Sequence, residues 1–283
     1  VARPDVCVIT NIGQCHLEFL GDRDGVLRAK SEIFDFVAPD GNIILNGDDD
    51  KLATLREIKG IKPIFFGNES GRAIYATDIR SAGIKGVWCN IHVGEECFEV
   101  MVPIPGYHMV LNALAATAVG RSLDMTNEEI KRGIEKLESL SGRFHIIEAN
   151  GITVVDDCYN ANPVSMKASL KVLNDAETRK TAILGDMGEL GEEEQQLHEE
   201  VGAYLGTLDI QTAVCIGPLA AHLAEAAKKV KPQMQIFTAG SVEEAMEHLP
   251  EWICKGDTIL VKASHFMHFE KIVDALTKNK QEE

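Results

Sequence analysis

An α/β protein of two domains is predicted, on three observations. After about residue 140, apolar β-branched runs alternate strictly with helix-length segments, the pattern of a parallel sheet with helices on both faces. Before it, residues 73–105 are strand-rich and punctuated by Gly83, Gly86 and Gly94, which reads as β-hairpins. The chain has 283 residues, enough for two cores.

The elements follow in order. Residues 6–10 form a short apolar strand running into Asn11-Ile-Gly-Gln-Cys-His16. Opening on so apolar a strand reads as a chain cut inside a domain. Residues 24–37 show helical spacing of Val26, Leu27, Ile33, Phe34 and Val37. Strands are expected at 43–45 and 63–66, with a short helix at 52–58 between them. Gly106 opens a helix through residue 118 that is apolar on most faces and so buried. Thr126, with Glu129 three residues on, predicts a capping box for a helix ending near residue 140.

Residues 144–148 and 152–155 are β-favouring runs around Asn150-Gly151, a strong two-residue hairpin signal. The pattern then breaks into Asp156, Asp157, Tyr159, Asn160 and Asn162, with Pro163 suited to the first turn of a helix. Carboxylates and amides at the end of an apolar strand are costly to desolvate, so they are paired or put to use. A capped strand-to-helix turn is the plain alternative. Strands at 181–184, 213–216, 235–238 and 258–261 then alternate with helices at 164–173, 192–205, 219–229, 242–249 and 269–277. This places Asp157, Asp186 and Ser264 together at the strand ends of a doubly wound domain.

The formal charge of −16 argues against nucleic-acid or anionic-membrane partners. Seven cysteines, an odd number with no C-x-x-C, suit a reducing cytosol rather than a disulfide framework or zinc site. No run of 18 apolar residues suggests membrane insertion.

Several motifs carry a resemblance. Asp157-Cys-Tyr-Asn-Ala-Asn-Pro-Val-Ser-Met166 resembles the D-x-YNANP-x-SM signature of the UDP-N-acetylmuramoyl-tripeptide:D-alanyl-D-alanine ligases, within the ATP-dependent Mur ligases. Ser141-Gly-Arg143 and Leu184-Gly-Asp-Met-Gly-Glu-Leu-Gly191 are similar to the SGR and LGDM-x-ELG elements of that family, in the same order. Asn11-Ile-Gly-Gln-Cys-His-Leu-Glu18, residues 28–34 and Gly106–Ala116 resemble further elements.

The resemblance implies a partial P-loop-type ATPase central domain at 1–140 and a C-terminal Rossmann-like domain at 141–283. It implies that His16 and a carbamylated Lys30 hold Mg²⁺; a carbamate turns a cation into an oxygen ligand for a hard metal. By itself, a lone histidine is more often a structural residue, and a mid-helix lysine more often a solvated one. Asn112 would meet the adenine of ATP, with Met109 standing where a further asparagine is common. Arg143 would meet ATP phosphate oxygens, and Asp157 the ribose. Tyr159, Asn160 and Asn162 would shape the D-alanyl-D-alanine pocket, and Ser264 would contact substrate. Residues 261–270 depart from the family: Ala263 replaces a glycine, and His265 and His268 replace arginines. Histidines would bind a carboxylate more weakly and in a pH-dependent way.

A glycine-rich loop ending in Gly-Lys-Ser/Thr occurs nowhere in the 283 residues. The resemblance therefore implies a truncated cytoplasmic ligase, inactive alone. When complete it would be a monomer acting on small molecules, UDP-N-acetylmuramoyl-tripeptide and D-alanyl-D-alanine. A sister ligase of the folylpolyglutamate synthase type and a non-catalytic binding fragment are the alternatives.

Overall fold

The computed structural model describes residues 3–278. The chain divides into two compact units, Val1–Glu138 and Ser139–Glu283.

The first unit contains β1 (Val6–Ile9), α1 (Leu17–Leu20), α2 (Arg23–Ser31), β2 (Asn42–Asn46), β3 (Ile64–Gly67), β4 (Ile74–Ser81), β5 (Val87–Val93), β6 (Glu96–Val102), α3 (Tyr107–Ser122) and α4 (Asn127–Glu135). Its six strands lie in chain order, β1 to β4 parallel and β4 to β6 antiparallel. The meander explains the glycine punctuation: Gly94 turns β5 into β6 at φ 61°. Alternation along β5 sends Val87, Cys89 and Ile91 into the core and Trp88 and His92 outward. Helix α3 buries Val110, Ala113, Leu114, Thr117 and Ala118 against the sheet; its small residues bring the helix close. Full burial of a side chain such as Leu114 or Ile91 contributes about 1.5–3 kcal/mol.

Two expectations fail here. The helix expected at 52–58 is only a 3₁₀ turn at Leu52–Thr54, because Asp49 Oδ1 accepts from both Lys51 N and Leu52 N and tightens the chain locally. Ile58 then bridges to Ile61 instead of continuing. Helix α4 stops at Glu135 rather than near 140, although its Thr126–Glu129 capping box forms as expected.

The second unit contains β7 (His145–Ala149), β8 (Ile152–Asp156), α5 (Pro163–Asn174), β9 (Lys180–Gly185), α6 (Glu194–Gly206), β10 (Thr212–Ile216), α7 (Pro218–Val230), β11 (Gln235–Ala239), α8 (Val242–Trp252), β12 (Thr258–Lys262) and α9 (Glu270–Thr277). Strand order is β11-β10-β9-β12-β8-β7, all parallel except β7, which pairs antiparallel with β8. Asn150 and Gly151, at φ 54° and 76°, make the predicted tight turn. Every residue of β9, β10 and β12 is buried, as a sheet covered on both faces requires. Helices α5, α6 and α7 pack side by side, and α8 packs with α9. Strand β12 returns to lie between β9 and β8, so the loops after these three strands meet at one end of the sheet. No helix among the described residues is long and apolar enough to cross a membrane.

Candidate active site

The polar elbow leaves β8 at Asp156 and enters α5 at Pro163, with Asn162 as helix cap. Asn162 Oδ1 accepts from Ser165 N at 2.9 Å, and Asn162 N donates back to Ser165 Oγ at 3.1 Å. The cap fixes where the elbow ends.

Asp156 fixes where it begins. Its carboxylate is 3% exposed. Oδ2 accepts from Gly142 N at 2.7 Å and Ser141 Oγ at 3.3 Å. Oδ1 accepts from Cys158 N at 3.4 Å and the Cys158 thiol at 3.0 Å. Burial, then this carboxylate, pushes the Cys158 thiol far above its ordinary range. Tyr159 N donates to Gly142 O at 2.9 Å, joining the Ser141-Gly-Arg143 element to the elbow. Gly142 sits at φ 75°, which favours glycine, and a Cβ there would make a tight contact with Tyr159 Cβ at 3.1 Å. Phe144 is buried yet holds φ 55°, an outlier for a bulky residue. In this conformation its N–H donates to Asp157 Oδ1 at 3.2 Å.

Asp157 Oδ2 accepts from Ser169 Oγ and from Lys262 Nζ, each at 2.6 Å. Of the roughly four lone-pair directions of a carboxylate, about one is left for a further hydroxyl. Lys262 is buried beneath the elbow, and its ammonium also donates to Asn160 O at 3.1 Å. Removing one partner of such a pair costs about 3–5 kcal/mol, because the other is left buried and unpaired. The elbow is therefore pinned from below.

Above it lies an exposed rim. The Arg143 guanidinium stands 4.2 Å over the Tyr159 ring centroid. Tyr159 is 5.7 Å from the His265 ring, and His265 is 6.4 Å from that of His268. His268 pairs with Glu270 at 3.0 Å. Arg143, Tyr159, Asn160, His265 and His268 are all exposed. This rim can meet an anion through the guanidinium and an apolar or planar group through the rings.

Ser264 is 4% exposed and serves as a tie. Its Oγ accepts from Gly188 N at 2.9 Å and donates to Ala161 O at 3.3 Å, while its N donates to Asp186 O at 3.1 Å. Asp157 N donates to Val261 O at 3.0 Å. Asp157, Asp186 and Ser264 thus gather at adjacent strand ends, as expected from the alternation. Asp186 accepts from Ala220 N at 2.7 Å, at the start of α7, and burial raises its carboxyl above the usual range. His198 is fully buried: Nδ1 donates to Glu194 O at 2.7 Å and Nε2 accepts from Met187 N at 2.9 Å. Burial pushes this imidazole below its ordinary value.

The first unit carries the remaining residues. His16 is exposed, at φ 55°, just before α1. Lys30, exposed on α2, donates to Asn11 O at 2.9 Å, reaching the loop that carries His16. That loop is braced by Asn46 Nδ2 on Thr10 O at 3.0 Å and by Ile12 N on Asp49 Oδ2 at 2.8 Å. No three His, Cys, Asp or Glu side chains among the described residues gather as a metal-binding set. Asn112 is exposed on α3, its Nδ2 3.4 Å from Met109 Sδ.

Sequence reasoning missed the roles of Asp156 and Lys262. Two adjacent carboxylates at a strand end were a usable signal for Asp156. Lys262 gave none, because its partners lie 102 and 105 residues away.

Two layered α/β units, with a pinned polar elbow at the strand ends of the second, point to one class. Residues 1–120 match the Mur ligase middle domain, and residues 142–265 the Mur ligase, glutamate ligase domain. The chain belongs to the Mur ligase family. Within that family it is 33% identical over 282 residues to the UDP-N-acetylmuramoyl-tripeptide--D-alanyl-D-alanine ligase of Bacillus subtilis, covering 99% of this chain and 60% of the relative. A crystal structure of MurF from Acinetobacter baumannii superimposes with TM-score 0.87 at 32% identity, over 97% of this chain and 60% of that one. A MurF ligase from Thermotoga maritima, in complex with ADP, gives 0.82 at 28%, over 97% and 62%. The chain spans about 60% of the length of these relatives.

Proposed function

We propose that this chain is the adenine-side and amine-side portion of an ATP-dependent cytoplasmic ligase, monomeric when complete, that joins D-alanyl-D-alanine to UDP-N-acetylmuramoyl-tripeptide in peptidoglycan precursor synthesis. Residues 1–140 act as the later part of the central ATP-binding domain and residues 141–283 as the C-terminal domain. The observation that carries the reading is the elbow: Arg143, stacked on Tyr159, is seated on a network that leaves the guanidinium and the ring exposed. The relatives that match nearly the whole chain are ligases of this name.

In the proposed reaction ATP phosphorylates the tripeptide carboxylate, the dipeptide amine attacks the acyl phosphate, and phosphate leaves as the amide forms. Arg143 meets phosphate oxygens, where a guanidinium fork stabilises developing charge. Asn112 bonds the adenine edge, and Asp157 takes a ribose hydroxyl on its remaining lone pair. Tyr159, Asn160 and Asn162 shape the dipeptide pocket, with Ser264 beneath. Mg²⁺ would supply charge neutralisation on the transferring phosphoryl group. Lys30 reaches from α2 to the loop that carries His16, and the two would hold two of the metal's positions with Lys30 carbamylated, without forming a complete ligand set by themselves.

The test is phosphate release with both substrates by the ligase that contains these residues. Arg143→Ala and Lys30→Ala are each expected to lower kcat/KM by about 100-fold or more, the scale of losing one charge-stabilising group. Variants as fast as the parent overturn the assignment.

A further inference from the structure

The outer face of the β4–β6 meander carries a cluster that the ligase reading does not use. Tyr75, His92 and Cys97 are direct cross-strand neighbours on β4, β5 and β6. The Tyr75 and His92 rings stack at 4.5 Å, tilted by only 1°. Thr77 Oγ1 lies 2.8 Å from His92 Nε2. The stack and this bond hold the imidazole edge-on to β6, where Cys97 Sγ approaches the same nitrogen at 3.7 Å. The thiol is exposed.

Two other cysteines are accessible. Cys254 is exposed, and Cys15 is half-buried, with its thiol 3.8 Å from the Gly13 carbonyl oxygen. Cys7, Cys89, Cys158 and Cys215 are buried, and burial raises their thiols, Cys89 to about 11 and Cys215 to about 12.

We propose that Cys97 and His92 form a thiol-modification site, with His92 as the general base, specific for small neutral or cationic disulfides. The Thr77 hydroxyl turns its proton to Asp78 Oδ2, 3.5 Å away, which frees the one lone pair of His92 Nε2. As the Cys97 sulfur attacks one sulfur of the disulfide, its proton passes to that nitrogen. A new S–S bond forms to Cys97, the old one breaks, and the second sulfur leaves as a thiolate that takes up a proton. No other oxidant is needed. The charge preference follows from the surroundings. Glu95 flanks the site from the β5–β6 turn, Glu99 lies two residues from Cys97 on the same face of β6, and Asp78 projects from β4. Arg80, on this face, is already engaged by Glu99, and Arg121 pairs with Glu96 on the opposite face. An anionic disulfide meets net repulsion there.

The test is site-resolved mass spectrometry of the folded 283-residue chain, treated with cystamine or with glutathione disulfide at pH 7. Cys97 is expected to react about tenfold faster than Cys254, the lower end of what a positioned base supplies, and faster with cystamine than with glutathione disulfide. His92→Phe keeps the ring stack but removes the base, and should bring Cys97 down to the Cys254 rate. Labelling of buried Cys89, on the same strand as His92, reports unfolding of this unit; should His92→Phe expose it, His92→Gln takes its place. A Cys97 no faster than Cys254, or one unaffected by loss of the imidazole, overturns the proposal. Equal rates with the two disulfides overturn the charge preference.

Discussion

At the scale of single residues, two buried groups hold the second unit's site in shape. Asp156 uses both oxygens as acceptors, one towards Ser141 and Gly142 and the other towards Cys158. In Asp156→Asn one of those oxygens becomes an NH₂ that faces a donor. A lost acceptor at a buried donor costs about 1–3 kcal/mol. The amide of Gly142 or Cys158 should therefore exchange about 10- to 100-fold faster, while amides in β10 stay unchanged. His198 is the second group. Its folded pKa is depressed by burial, whereas the unfolded imidazole titrates near 6.5. As pH falls below about 6.5, the unfolded chain takes the proton first, so stability of this unit falls until the folded pKa is reached. Asp186 works the other way: its raised carboxyl takes a proton first in the folded state, which offsets part of the loss in more acidic solution. Amide exchange of the second unit should show the decline starting near pH 6.5 in the parent and missing in His198→Gln.

At the scale of elements, glycine placement decides how closely helices approach. Gly202 on α6 faces α7 so tightly that a Cβ would lie 2.1 Å from the Leu223 carbonyl oxygen. Backbone cannot swing away as a side chain does, so Gly202→Ala must part the two helices. Overpacking of this kind costs about 1–3 kcal/mol. Denaturant unfolding followed at Trp252, in a Trp88→Phe background, should show that loss. The same elements show what could be read in advance. Asn150-Gly151 announced the hairpin because only residues tolerant of positive φ suit its turn. Asn162-Pro163 announced the start of α5 because capping is local chemistry. The helix expected at 52–58 did not form because an aspartate three residues upstream competed for its first amides, a contact that apolar spacing does not reveal. The αL conformation of Phe144 was equally hidden: nothing in a Phe predicts it, and its ring is buried and its N–H bonded to Asp157 in that conformation.

At the scale of the whole molecule, strand alternation was enough to foresee the doubly wound second unit, since a parallel sheet needs a helix between strands. The site was legible where it is made of consecutive residues, from Ser141 to Arg143 and from Asp157 to Asn162. It was illegible where distant chain returns to it, as Lys262 does from β12. Cys7 and Cys89 are sealed in the first unit and Cys158 and Cys215 in the second. A buried thiol reacts only when the structure around it opens. Each half of the chain therefore carries its own pair of clocks, and a single labelling time course would time the opening of both in the same tube.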